Sequence, residues 1–366
     1  MFDFGIKGFF SDVKNTLTSA RILGVDIGTT AIKMIEVGKK GDLLTLENYG
    51  ILETKDYLAR GNAAIQTSAL KISERDVSQL LSVFLREFRP QTKQAIVSIP
   101  IYNAFFVTID MPALPPREAA AALTFQAKQY VPLPIDQVNI EWVEMDSFQN
   151  ERGQDMKRYL LVAVPIATID TLKRLFNSVG ITLHALEVEH QSLIRALLSP
   201  TDPIVQIIDI GGESTGIHII EKGVAKRTTQ IDSGGSSLTK SLARSLDISA
   251  FRAEDLKKHK GLLGSGGEYE ISHALYPFLD VIFNECGRIR NEFERLSGKK
   301  VSEVILVGGG ANLLGIDVYV KDLLGLPIKT TDSFRHFILR SDIEPIRKEL
   351  GRTFASAAGL ALRFFV

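Results

Sequence analysis

Two aspartates in this chain of 366 residues stand in the same setting: Asp26-Ile-Gly28 followed by Thr29-Thr30, and Asp209-Ile-Gly211 followed by Gly212-Glu-Ser214-Thr215. A glycine two positions after the acid lets the backbone turn its N–H groups toward an anion, and the neighbouring hydroxyls add donors. The acid itself cannot bond a phosphate, because both are acceptors. Its natural partner beside one is a water-shelled Mg²⁺. The two copies are offset by 183 residues, half the chain. The repeat predicts two related halves whose turns clamp a polyphosphate from opposite sides, with Asp26 and Asp209 on one metal through water. Lys33 follows the first turn and either reaches phosphate or points outward from its strand.

A third cluster, Gly308-Gly309-Gly310, follows the apolar run Val304–Val307, and a helix is expected to open at Leu313-Leu314. Such a site lets backbone approach a nucleotide closely, or simply packs tightly; both readings stand. Gly212-Glu-Ser-Thr-Gly216 also satisfies G-x-S-x-G. The hydrolase elbow needs a helix directly after its serine, however, and Ile217–Glu221 reads as a strand. No G-x-x-x-x-G-K-[ST] occurs, which excludes a P-loop. The six histidines include no H-x-x-x-H pair, and no zinc site is assigned.

The positioning elements follow from the apolar pattern. Leu23, Val25 and Ile27 alternate into the first turn, and Ile32 and Met34 resume after it as a hairpin; Ile204–Ile210 and Ile217–Ile220 repeat it. Ala95–Ile99 and Ala104–Ile109 read as strands, Pro116–Tyr130 as a helix started by Pro115-Pro116 and ended by Pro132, and two further strands flank a polar turn at 149–155. Together these make an α+β insert, in which Phe105 and Phe106 pack or seat a partner. Asp280–Leu296 reads as an amphipathic helix with Phe283, Ile289, Phe293 and Leu296 inward and Glu285 and Arg288 beside a candidate adenine pocket. Lys257–Lys260 begins a solvated glycine-rich loop. Phe2, Ile6, Phe9, Val13 and Leu17 share one helical face of a tail.

Lys+Arg and Asp+Glu are 43 each, so no net charge draws the chain to nucleic acid or anionic lipid. An apolar share of 45% supplies ample core. The single cysteine, Cys286, fits a reducing compartment. The start, MFDFGIKGFF, lacks the cationic region of a signal peptide, and no run approaches the length of a membrane span.

In this order the two hairpins and the triple glycine resemble the phosphate-1, phosphate-2 and adenosine motifs of the actin/Hsp70/FtsA ATPase superfamily. The resemblance implies a two-domain actin-like α/β fold with ATP and Mg²⁺ as ligands. Its nucleotide-binding residues would be Asp26, Gly28, Thr29, Thr30, Lys33, Asp209, Gly211, Gly212, Ser214, Thr215, Gly308, Gly309 and Gly310. Ala253-Glu254-Asp-Leu-Lys257 matches the A-E-x-x-K stretch where such proteins contact the nucleoside. Leu186–Leu198 looks like the superfamily's first connecting helix and Gly351–Leu362 like the second, with Ala355, Ala358 and Gly359 letting the two cross closely. Glu189 lies in the first, where relatives keep a polar residue facing the γ-phosphate, and there it can orient attacking water. Within the superfamily, Gly24–Met34, Lys128-Gln-Tyr-Val-Pro-Leu-Pro134 and Gly234-Gly-Ser-Ser-Leu-Thr239 resemble the PilM family of type IV pilus assembly proteins. Relatives usually carry an acid within the insert's helix, whereas this chain has Phe125-Gln126.

That likeness implies a tail at 1–22, a subdomain 1A from 23–91, 167–200 and 351–366, an inserted domain 1C at 92–166, and a domain 2 at 201–350 with its 2B part near 230–300. It implies a cytoplasmic scaffold that binds ATP with at most slow turnover. A PilN-like N-terminal peptide in the cleft between 1A and 1C would hold it at the inner face of the membrane, among other platform proteins, with self-association left open. An FtsA-like filament-forming ATPase and a type II secretion platform component are the alternatives. The end at Leu362–Val366 leaves no room for an amphipathic membrane helix, which favours the pilus reading. A sugar kinase shares the fold, but no catalytic aspartate is identified for one.

Overall fold

The computed structural model describes residues 20–53, 74–263 and 269–366. The predicted tail helix and Gly264–Gly267 of the glycine-rich loop lie outside the described residues. Strands β1 (Arg21–Ile27), β2 (Ala31–Lys40) and β3 (Leu43–Glu53) form a meander, and α1 (Glu74–Phe88) leads to β4 (Gln94–Ile99), parallel to β1. The chain then builds the insert from β5 (Phe105–Pro112), α2 (Pro116–Tyr130), β6 (Val138–Gln149) and β7 (Asp155–Pro165). Helix α3 (Ile166–Ser178) returns it to β8 (Thr182–Val188) and α4 (Glu189–Leu197). The second half holds β9 (Val205–Ile210), β10 (Thr215–Glu221), β11 (Val224–Ile231), α5 (Gly235–Ser245), α6 (Ala250–Lys260), α7 (Tyr269–Ser297), β12 (Glu303–Val307) and α8 (Ile316–Leu324). Strand β13 (Phe337–Ile338) and helices α9 (Arg347–Thr353) and α10 (Ala355–Leu362) close the chain onto the first half.

The repeat is a repeat of topology. The first sheet runs β13-β3-β2-β1-β4-β8, and the second, β11-β10-β9-β12, reproduces its β3-β2-β1-β4 portion. Both parallel pairs, β1 with β4 and β9 with β12, take a helical crossover, as parallel strands require. Strand β9 is buried on both faces: Val205 and Ile207 join the core of the first half, while Ile208 and Ile210 pack with α7. Two-sided burial is why these strands read as nearly continuous apolar runs. Helices α4 and α10 cross where Gly359 stands: a Cβ there would lie 1.8 Å from the Ser192 carbonyl oxygen, and Ser192 and Ser356 hydroxyls meet at 3.0 Å. The predicted close crossing of small residues is thus the seam of the first half.

Several boundaries differ from the sequence reading. Leu186–Val188 extend β8, because parallel pairing with β4 continues to Val188, and the connecting helix starts only at Glu189. The second connecting helix is broken at Phe354 into α9 and α10. Ala95–Ile99 belongs to the first sheet, and the insert's own sheet, β5-β7-β6, begins at Phe105 rather than near 92. One face of that sheet packs on α2 through Ile109, Leu123 and Leu161, while Leu160, Val162 and Val164 join the core of the first half. Lys226 of β11 also holds the insert, donating to the Met145 carbonyl at 2.6 Å and pairing with Asp146 at 2.8 Å. Helix α7 is longer than expected, with Leu296 exposed at its end.

Candidate functional site

Both predicted turns form, and they form alike. Gly28 N–H donates to the Ala31 carbonyl at 3.0 Å, and Gly211 N–H to the Ser214 carbonyl at 2.9 Å, the same bond one repeat later. The G-x-S-x-G alternative fails here, since β10 follows the serine directly where an elbow needs a helix. The two turns touch. A Cβ on Gly212 would lie 2.0 Å from the Thr30 hydroxyl oxygen, and Glu213 N–H donates to the Thr29 hydroxyl at 3.3 Å. Only glycine fits that approach, and phosphates entering between the turns must part them.

Behind the turns sit four charged side chains. Asp26 is 2% exposed, and Lys33 Nζ lies 3.6 Å from its carboxylate. Burial alone pulls the Lys33 ammonium down, but Asp26, Asp209 and Glu189 outweigh it and hold its pKa above the ordinary lysine value. Lys33 therefore points into the site as a full cation, not outward. Burial raises Glu189 well above the usual carboxylate range, with Asp26 and Asp209 adding to the effect; it raises Asp209 as well, against the pull of Lys33. A proton on Glu189 donated to the Asp209 carboxylate raises Glu189 further and pulls Asp209 down, so Asp209 is raised by burial and Asp26 against both this bond and Lys33. Three carboxyl groups surround one lysine; they form no ready-made metal cage among the described residues, and the carboxylates of Asp26 and Asp209 are of the type that accepts from a cation's water shell rather than from the cation itself. Glu189, at the first turn of α4, faces the same space.

The third cluster closes the site from the second half. Gly308 has φ 85°, and a Cβ there would lie 2.3 Å from Asp209 Oδ1. Its N–H donates to the Arg352 carbonyl at 2.9 Å, tying the turn to α9. Gly309–Asn312 forms a 3₁₀ turn, so the predicted helix opens at Ile316 rather than at Leu313. Helix α5 is stitched to the second turn, with Gly235 N–H on the Gly211 carbonyl at 2.9 Å and Ser236 N–H on that of Gly212 at 2.7 Å. On its far side Lys257, buried, donates to Glu254 at 2.7 Å, Thr239 at 2.7 Å and the Gly235 carbonyl at 2.9 Å. Glu254 and Lys257 thus stand beside the glycine turn, and Lys257 closes α6 instead of opening a solvated loop.

Some predicted groups are placed otherwise. Thr215 is fully buried and its hydroxyl donates to the Ser233 carbonyl at 2.7 Å, so it fastens β10 rather than facing phosphate. Glu285 and Arg288 form a bidentate surface pair at 2.6 and 2.7 Å that joins Glu292 and Arg227, not an adenine pocket. Two residues went unread. Ser98, fully buried, accepts Ile27 N–H at 2.7 Å and donates to Asp26 at 3.1 Å, fixing the first aspartate from β4. A lone hydroxyl in the apolar run Ala95–Ile99 was its only signal. Tyr102, on the 3₁₀ turn after β4, has its phenol pushed up by burial and by Glu189 and Asp26, which places it near the same carboxylates.

A duplicated sheet with matched Asp-x-Gly turns meeting across a cleft, and a glycine turn beside them, defines the actin-like ATPase fold. A family model for the type IV pilus assembly protein PilM matches residues 24–365, and the chain belongs to that family. It is similar to a solved PilM-PilN type IV pilus biogenesis complex, with 22% identity and a TM-score of 0.76 over 93% of this chain and 98% of that one. MreB 5 of Spiroplasma citri bound to AMPPNP shares 14% identity with a TM-score of 0.51 over 94% and 95% of the two chains. The cell division protein FtsA of Enterococcus hirae is 22% identical over 81% of this chain and 62% of its own length. The chain spans less than two thirds of the FtsA relatives it matches.

Proposed function

We propose that the cleft between the halves binds ATP with Mg²⁺, and that the protein serves as a nucleotide-biased scaffold of the pilus assembly platform. The observation carrying this reading is the meeting of the Asp26 and Asp209 turns around Lys33 and Glu189. In that arrangement the turn N–H groups and Lys33 hold phosphate, Asp26 and Asp209 hold the metal through water, and Glu254 and Lys257 face the nucleoside. The metal screens the phosphate charge. A Glu189 that keeps its proton is a poor base for water, in line with slow turnover at most. The AMPPNP complex of MreB 5 supports a nucleotide ligand for this fold.

The solved PilM-PilN complex supports a PilN-like partner; in this reading its N-terminal peptide lies where the insert meets the first half and holds the protein at the inner face of the membrane. No helix among the described residues is long and apolar enough to cross a membrane itself. The insert also borders the second half across a groove of about 530 Å³ between Arg158 and Lys299, a separate surface open to other platform proteins or a second copy. Calorimetric titration with ATP and Mg²⁺, with and without a synthetic PilN-like peptide, tests the proposal. Binding of ATP that the peptide alters is expected. Absence of any nucleotide binding would reduce the cleft to an inherited frame and the protein to a scaffold alone.

A further inference from the structure

Next to Glu189 the chain places His190, buried where three parts of the molecule meet. Its ring stacks on His218 of β10 with centroids 5.8 Å apart and takes the edge of Phe106 of β5 at 5.4 Å. Glycine at Gly216 makes the room: a Cβ there would lie 3.0 Å from His218 Nε2 and 3.5 Å from Ile101 Cδ1, on the turn that leads into the insert. Gly216 is itself the cross-strand partner of Asp209. The stack therefore joins the first connecting helix, the second phosphate turn's return strand and the insert.

Its hydrogen bonding is incomplete in a particular way. Gln191 Nε2 lies 3.2 Å from His190 Nε2 and can only donate, which puts the His190 proton on Nδ1. His218 Nδ1 faces the Thr228 hydroxyl at 3.4 Å, and a donated proton there leaves Nε2 an acceptor. His190 Nδ1 and His218 Nε2 are buried and have no partner among the described residues. Burial holds His190 down at about 4 and His218 below the usual imidazole range, so both rings are neutral. With His218 donating to Thr228 rather than accepting from it, one orphan is a donor and the other an acceptor, on adjacent rings from different halves.

We propose that this pair is a two-position latch: stacked in one arrangement of the halves, and in the other slid so that His190 Nδ1–H donates to His218 Nε2, moving Phe106 and with it the insert. Each buried orphan costs free energy that the second position recovers, so the element has two discrete states rather than a continuous range. The inference rests on the nucleotide reading: phosphates that part the Gly212 and Thr30 contact displace β10 relative to α4, which is the motion the latch registers.

The test uses the full chain labelled with ¹⁵N-histidine. Long-range imidazole spectra should show His190 protonated on Nδ1, and Mg-ATP should move the His218 Nε2 resonance toward a hydrogen-bonded acceptor while altering amide exchange at 105–109. His218→Phe keeps a stacking ring without the acceptor; His190→Phe is the second variant if the first does not fold. Either should bind ATP within about twofold of wild type, while the mutual effect of ATP and peptide, about fivefold or more in wild type, falls to one. Unmoved histidine resonances on ATP binding, or full coupling in a folded variant, overturns the latch and leaves the nucleotide reading intact. A wild type that does not bind ATP overturns both.

Discussion

Asp209→Asn separates the metal role of this carboxylate from its structural one, because the two respond in opposite directions. Asp209 shares a proton with Glu189, and burial disfavours its charge, so the neutral amide suits the ligand-free fold and should raise its melting temperature. The sign with pH follows: carboxyl groups whose folded pKa is raised contribute stability below the ordinary carboxylate range and lose it as pH climbs through the raised value. Wild type should thus soften as pH rises from about 5, and the variant should soften less. With Mg-ATP the order reverses. A ligand at about 100 times its Kd adds ~2.7 kcal/mol, or about 5 °C at roughly 2 °C per kcal/mol for a chain this long. Loss of a group that acts through water typically weakens metal affinity about 10- to 100-fold. At the same ATP concentration that leaves on the order of 0.4–1.4 kcal/mol, a shift of about 1–3 °C. Thermal melts of both proteins at pH 6 and 8, with ATP, Mg²⁺ and the two together, read all of this. An undiminished Mg-ATP shift in Asp209→Asn would refute the shared-metal geometry.

Ser98→Ala should cost about 1–3 kcal/mol by stranding the buried Ile27 N–H, seen as a melting point lower by about 2–6 °C, and should weaken Mg-ATP binding by freeing Asp26. Gly359→Ala sets a Cβ 1.8 Å from a backbone oxygen of α4, which no rotamer relieves; a loss of about 1–3 kcal/mol or more in urea unfolding is expected. Glu141 of the insert is pushed up to about 7 by burial, against the pull of Arg363, and its Oε2 has no partner among the described residues. Stability should therefore fall as pH rises from about 4.5 to about 7, and Glu141→Gln should flatten that part of a melting-temperature profile.

The parts of the site legible in the sequence were those written in local chemistry. Asp26-Ile-Gly28 and Asp209-Ile-Gly211 announce themselves because an acid before a tight turn serves no ordinary hairpin, and Gly359 and Ala355 because small residues in a helix have few uses besides a close crossing. What stayed hidden depends on distant residues. Ser98 is 72 positions from the aspartate it fixes, and nothing near it marks it out. Thr215 looked like a phosphate donor by position, yet strand pairing turns it inward to Ser233. The family likeness puts Leu186–Val188 in the connecting helix, yet parallel pairing with β4 keeps them extended, a register that only the partner strand sets. His190 and His218 stack although 28 residues and a half-boundary separate them, a juxtaposition only the topology supplies.

The same topology explains why an ATPase frame suits a platform component. The insert has no independent footing: Leu160, Val162 and Val164 sink into the core of the first half, while Lys226 of the second half grips Met145 and Asp146. A body fastened to both sides of a hinge cannot stay still when the hinge turns. Nucleotide that parts the Gly212 and Thr30 contact must either break the Lys226 attachment or carry the insert along. Lys226 is nearly buried while Asp146 is more than a third exposed, so solvent screens the ion pair and the bond to the Met145 carbonyl matters as much. If the halves part on nucleotide binding, the Lys226 attachment is the contact through which the insert registers it, against the hold of its own residues in the core of the first half. Lys226→Met should then leave Mg-ATP binding in place while uncoupling it from amide protection in β6. Protection in β6 that still follows ATP in the variant would locate the transmission elsewhere.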